Sequence, residues 1–310
     1  MEVLTPRDVP LGGPRAMRVR RTLPQRHRTT IGAWCFVDHY GPDDVRETGG
    51  MVLPPHPHTG LQTVSWLFEG EIEHRDSAGH HAFVRPGAVN LMTAGRGISH
   101  SEDSTVGTQV LHGAQLWIVL PDEHRHTAPG FVHHEAPLLE GDRCRARVFL
   151  GTLLGHTSPV PTYSPVVGAE VRLDPGGRLE VDVDPAHEHG FLVDAGVLLL
   201  DDEDVKPGEL AYVAPGATSI VLAAGDEPVR LLVLGGEPFD EPIVMWWNFV
   251  GRTHEEVVGY RQEWQDQITR DGTVIDDSRE VADGRFGRVD HPQPPIPAPP
   301  LPNARLKERR

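Results

Sequence analysis

Short β-like stretches recur through most of this chain, parted every eight to twelve residues by turn-forming residues, a spacing that restricts the chain to a sandwich or barrel. Ile31–His39 is apolar and aromatic. Thr63–Phe68 and Ile72–Asp76 flank Glu69-Gly70-Glu71, which predicts a hairpin with a glycine in its turn. Ala82–Arg85, Ala88–Met92 and Val110–Leu120 follow, separated by Pro86-Gly87 and the Gly-rich stretch Ala94–Ile98. A second series opens near Arg145 with Ala146–Leu150, Val166–Leu173, Leu179–Val183 and Gly190–Val193. It continues through Val197–Leu200, Glu209–Val213, Ser219–Ala223 and Val229–Leu234, with Pro207-Gly208 and Pro215-Gly216 between them. Two such series read as a diverged internal duplication.

Three segments break the pattern. Residues 15–21 alternate arginine with apolar residues, as an edge strand does. At Thr253–Arg270, Thr253 with Glu256 three residues on forms a capping-box pattern, and Val257, Tyr260, Trp264 and Ile268 recur at helical spacing. The last twenty residues are Pro-dense and are expected to be extended, mobile and outside the fold.

The chemistry concentrates in two dyads, His56-Pro57-His58 and His100-Ser101-Glu102. Residues i and i+2 of a strand share a face, so two adjacent strands would aim three imidazoles and one carboxylate at one point. That donor set suits Fe(II), Mn, Co, Ni, Cu or Zn without choosing among them. Four ligands on an octahedral ion leave two positions for substrate and dioxygen; the same four could also close a tetrahedral structural zinc site. Structural zinc usually recruits cysteine, and Cys35 and Cys144 are both remote from the dyads; they read as reduced thiols of a cytoplasmic protein. Thirteen of the eighteen histidines lie between His27 and His134, which marks the N-terminal half as the functional one. His80-His81 and His133-His134 are adjacent and face opposite ways on a strand, while His124 and His126 follow a loop-like Pro121-Asp122-Glu123.

A formal net charge of −16 opposes direct nucleic-acid binding. No apolar run is long enough to span a bilayer. The N-terminal residues have no basic and apolar leader pattern.

Longer motifs surround the dyads. PHPHTGLQTVSWLFEGEIEHRDS at residues 55–77 and TAGRGISHSE at 93–102 resemble the two signatures of the pirin family of the cupin superfamily. QLWIVLP at 115–121 and GGEPFDEPIVMWWNFVG at 235–251 are similar to further pirin motifs, and the resemblance runs from about Leu23 to Val289. It implies an all-β bicupin, two facing jelly-roll β-barrels with a short C-terminal helix. The division expected is a metal-binding barrel over 1–135, a metal-free barrel over 136–252, the helix and an extension over 253–289, and the disordered tail over 290–310. The resemblance also implies one divalent metal per chain, Fe(II) foremost, on His56, His58, His100 and Glu102. His187 and His189 have the same spacing in the second half but follow Asp184-Pro185 in a loop-like stretch. Val213–Ile220, at the second-motif position, contains no histidine, so a second metal is not expected.

Some pirins are quercetin 2,3-dioxygenases, which implies a small aromatic substrate of the flavonol type, with Glu102 accepting the proton of the flavonol 3-hydroxyl as general base, ligand or both. Others act through protein partners, a regulatory alternative for this chain. Phe36, Trp66, Phe68 and Trp117 are candidate pocket walls, with plain core the favoured reading for barrel aromatics. Gln62 stands where pirins commonly carry glutamate, which would alter a hydrogen bond or charge near the metal.

Overall fold

The computed structural model describes residues 1–10 and 17–309. In the first half, Gly130–Glu135, Ala88–Thr93, Leu61–Glu69, Val110–Val119, Trp34–Asp44, Arg18–Leu23 and Arg7–Pro10 form a seven-stranded antiparallel sheet in that order. A four-stranded sheet, ordered Val52–His58, Ile98–Ser104, Ile72–Asp76 and His81–Val84, packs against it. Tyr40, Leu67 and Leu111 from the large sheet meet Leu53, Ile72 and Val84 from the small one, closing one end of a jelly-roll barrel. The second half repeats the arrangement. Its seven-stranded sheet contains Leu210–Val213, Glu188–Ala195, Val229–Gly236, Val166–Leu173 and Cys144–Leu150. Its four-stranded sheet is built from Arg178–Asp182, Ser219–Ala224, Leu198–Leu200 and Glu203–Val205.

The two large sheets face one another. Leu61–Glu69 is buried on both faces for that reason, with only Glu69 exposed. Val64, Trp66 and Phe68 pack into the layer between the barrels with Phe149, Leu150, Leu192 and Leu234, while the alternate side chains point into the first barrel. Tryptophan needs a partner for its N–H when buried. Trp66 Nε1 donates to Glu170 at 2.9 Å, and Trp34 Nε1 reaches the carbonyls of Val167 and Gly235 at 3.1 Å, so both indoles cross from one barrel to the other.

Helix His254–Ile268 begins as its sequence predicts. The Thr253 hydroxyl accepts from Glu256 N–H at 3.1 Å, and the Glu256 carboxylate returns to the N–H of Arg252, one residue before the cap, at 2.7 Å. Val257, Tyr260, Trp264 and Ile268 form its buried face.

Three expectations change. Arg18–Leu23 is a strand, but Arg7–Pro10 pairs outside it, so it is not the edge; residues 15 and 16 lie outside those described. Glu2–Leu4 pairs with Leu210–Tyr212 in the second barrel's sheet, so the N-terminal residues cross the division drawn at residue 135. The Pro-rich tail lacks regular structure yet is packed on the fold, because its few remaining N–H groups and its carbonyls find partners there. Ile296 N–H donates to the Pro55 carbonyl at 2.8 Å, Trp264 Nε1 donates to the Ile296 carbonyl at 2.9 Å, and Arg309 bridges Ile243.

Candidate metal centre

Val52–His58 and Ile98–Ser104 lie side by side and antiparallel, with His56 opposite His100 and His58 opposite Ile98. Val52–His58 is an edge strand, which is why Pro54, Pro55 and Pro57 are tolerated in it. A bulge between His100 and Glu102 shifts Glu102 opposite Leu53. On its other side, Ile98–Ser104 pairs with Ile72–Asp76 and sets Glu102 opposite His74.

The rings of His56, His58 and His100 lie 4.3–5.2 Å apart between centroids, and one ligand nitrogen from each falls within 4.8 Å of the others. Glu102 lines the same pocket and forms a second such group with His100 and His74. His56 Nδ1 donates to the Pro54 carbonyl at 2.9 Å, which fixes the tautomer and frees Nε2. His100 Nδ1 lies 3.4 Å from His74 Nδ1. His100 Nε2 and His58 Nδ1 are buried without any hydrogen-bond partner. Unpaired buried nitrogens are costly, and a cation among them would satisfy them, so the residues fit a metal ion. Burial holds His56 down at about 4 and His58 and His100 well below the ordinary imidazole value, which keeps all three neutral. Burial raises the Glu102 carboxyl, opposed by His74 and by the Ser65 hydroxyl, which donates to Oε1 at 3.0 Å.

His74 was not among the residues the sequence singled out. It is 2 % exposed, and its Nε2 lies 3.4 Å from Asp76, whose carboxylate also meets His80 and the N–H groups of Ala78 and His80. His74 and Asp76 have the same i, i+2 spacing as the two dyads, so the strand rule applied once more would have found them.

His56, His58 and His100 line a cavity of about 380 Å³. Phe36 and Trp117 form one wall, stacked 3.9 Å apart at 11°. Arg21 lies 4.2 Å from the Phe36 ring centre, its guanidinium held by both Asp38 oxygens at 2.7 Å. Trp247, Asn248, Ile296, Pro297 and Pro299 also line the cavity. Of the four aromatics considered as walls, Phe36 and Trp117 face it, whereas Trp66 and Phe68 are core between the barrels. Gln62 has the parity of Val64 and Trp66, hydrogen-bonds Thr93 at 2.9 Å and does not line the cavity.

Elsewhere, His39, His112 and Asp194 meet between the barrels. Both imidazoles contact one Asp194 oxygen at 2.6 Å and Arg230 takes the other at 2.5 Å, so the carboxylate is already saturated by donors and the cluster is an ion-paired latch. His189 lies in strand Glu188–Ala195, not in a loop, and neither it nor His187 joins a metal-competent group among the described residues.

The pirin family model matches residues 16–118, and the model of the pirin C-terminal cupin domain matches residues 168–269. This chain belongs to the pirin family. The pirin is 40 % identical over 304 residues to the Pseudomonas aeruginosa protein named "Putative quercetin 2,3-dioxygenase", covering 97 % of this chain and 91 % of that one. It is 34 % identical to a pirin-like protein of Caulobacter vibrioides over 80 % of this chain and 88 % of the relative. The crystal structure of quercetin 2,3-dioxygenase from Acinetobacter baumannii superimposes with a TM-score of 0.89 at 35 % identity, covering 99 % of this pirin and 97 % of that chain. The pirin is therefore a bicupin, and its likeness is to cupin dioxygenases. No helix among the described residues is long and apolar enough to cross a membrane.

Proposed function

We propose that this pirin is a metal-dependent dioxygenase acting on a planar hydroxylated aromatic of the flavonol type, with Fe(II) held by His56, His58, His100 and Glu102. One observation carries the reading: three buried imidazoles, two of them with an unpartnered ring nitrogen, converge in an aromatic-walled cavity large enough for a small-molecule ligand. The names of the Pseudomonas and Acinetobacter relatives support the substrate class.

When bound, the metal supplies Lewis acidity toward a substrate hydroxyl and redox chemistry with dioxygen. The protein's own groups do the rest. The stacked Phe36–Trp117 pair gives the cavity an apolar aromatic side suited to an aromatic ligand. Arg21, fixed by Asp38, puts positive charge beside that wall, suited to a substrate that becomes anionic. Glu102, its carboxyl raised by burial, takes the hydroxyl proton at a carboxylate oxygen, and the Ser65 hydroxyl orients it.

The test is protein loaded separately with Fe(II), Mn(II), Co(II), Ni(II) and Cu(II), given quercetin in air, with loss of flavonol absorbance followed. Turnover is expected, with His56→Ala and Glu102→Ala losing at least about 100-fold, the scale for removing a positioned acid–base group. No turnover with any metal would reject the flavonol reading. Variants that keep both metal and rate would reject the ligand set.

A further inference from the structure

The C-terminal residues supply one side of the metal cavity, although they were expected to lie outside the fold. Ile296, Pro297 and Pro299 line it together with His56, His58 and His100. The segment is tied down on both sides of those residues. Before them, His291 is 4 % exposed, its Nε2 lies 2.8 Å from Asp103, and its carbonyl accepts from the Ser278 hydroxyl at 2.7 Å. Among them, Ala298 N–H donates to Gln265 at 2.6 Å and Arg261 donates to the Pro299 carbonyl at 2.8 Å, both partners lying on the C-terminal helix. Arg305 pairs with Glu255 on the same helix. Between these anchors, Ile296 N–H bonds to the Pro55 carbonyl on the free edge of the strand that carries His56 and His58.

Composition explains why so few bonds hold it. Six of residues 291–300 are proline, each fixing φ and forfeiting a donor, so the stretch is extended and stiff before it docks. A stiff segment loses little entropy on ordering and does not yield easily to an oversized ligand.

We propose that residues 291–299 are a specificity strap, a wall built from the chain's own tail that limits the size of ligand able to reach the metal. The proposal rests on the metal-centre reading above. The strap admits a flavonol aglycone and obstructs one enlarged by a sugar on the ring remote from the metal-binding hydroxyl. It slows bulky chelators for the same reason.

Two full-length variants test it. His291→Ala releases the leading anchor; Pro297→Gly with Pro299→Gly softens the wall and leaves every anchor side chain in place. The first readout is the rate at which EDTA strips Ni(II) from the loaded protein, and the second is the ratio of dissociation constants for quercetin and its 4′-glucoside. Both variants should lose Ni(II) about tenfold faster, the first through loss of one hydrogen bond to a charged group and the second through the backbone freedom that two Pro→Gly changes restore, and both should discriminate less between the two ligands. Rates and ratios within twofold of the parent in both variants would overturn the strap alone. A parent chain that binds no Ni(II) would overturn the metal-centre reading and the strap with it.

Discussion

Trp247 occupies the first position of the two-residue turn between strands Val244–Trp246 and Phe249–Gly251, at φ +52°. That region favours glycine, and a side chain held there costs about 1–2 kcal/mol. The strain buys an indole on the cavity wall. Trp247→Gly should weaken flavonol binding about tenfold, the value of one aromatic stacking contact, as read by titration. Its unfolding midpoint should move little, because relief of the backbone offsets packing lost at a half-buried side chain. The clustering of His56, His58 and His100 was legible from spacing alone, whereas the bulge that groups Glu102 with His100 and His74 was not. Nor was the position of Gln62: only strand parity shows that it faces the second barrel, away from the cavity. Its amide oxygen is buried without a partner, and nothing in the structure explains the choice of glutamine.

At the scale of the element, the helix and the tail make opposite cases. The helix announced itself through a cap and a periodic apolar face, both local. Thr253→Ala should cost about 1 kcal/mol in denaturant unfolding, since Glu256 N–H then loses its acceptor. The tail carries no periodicity, and its composition matches that of unstructured linkers. Its docking depends on Pro55, Asp103, Trp264 and Gln265, partners far away in sequence that no local pattern reports. The short strand Glu2–Leu4 is illegible for the same reason: its partner lies more than two hundred residues on.

At the scale of the molecule, two barrels share one apolar layer with a polar latch in it. Asp194→Asn would leave the partly exposed Arg230 beside two imidazoles without a counter-charge. The expected loss is about 2–3 kcal/mol of stability, measured by chemical denaturation, with no change in the Ni(II) content of the folded protein. Acid should destabilise the metal-free protein through its buried histidines. Burial lowers His39, His56, His58, His100 and His189 below the ordinary 6.5, His56 and His189 to about 4. The unfolded chain therefore takes up these protons first. Stability is fully present above about pH 6.5 and declines as pH falls toward the folded-state values, so the midpoint of thermal unfolding should drop between about pH 7.5 and pH 5. An unchanged midpoint over that range would contradict the neutral state assigned to the cavity-facing imidazoles.

The pairing of Glu2–Leu4 with Leu210–Tyr212 also orders events during synthesis. Residues 2–4 leave the ribosome about two hundred residues ahead of their partner strand. All strands of the first barrel have appeared by Glu135, so it can close while the leading residues remain untethered. The last act at the N-terminal end is then the sealing of the second barrel's sheet edge, a long-range closure that nascent-chain proteolysis would see as late protection of residues translated early.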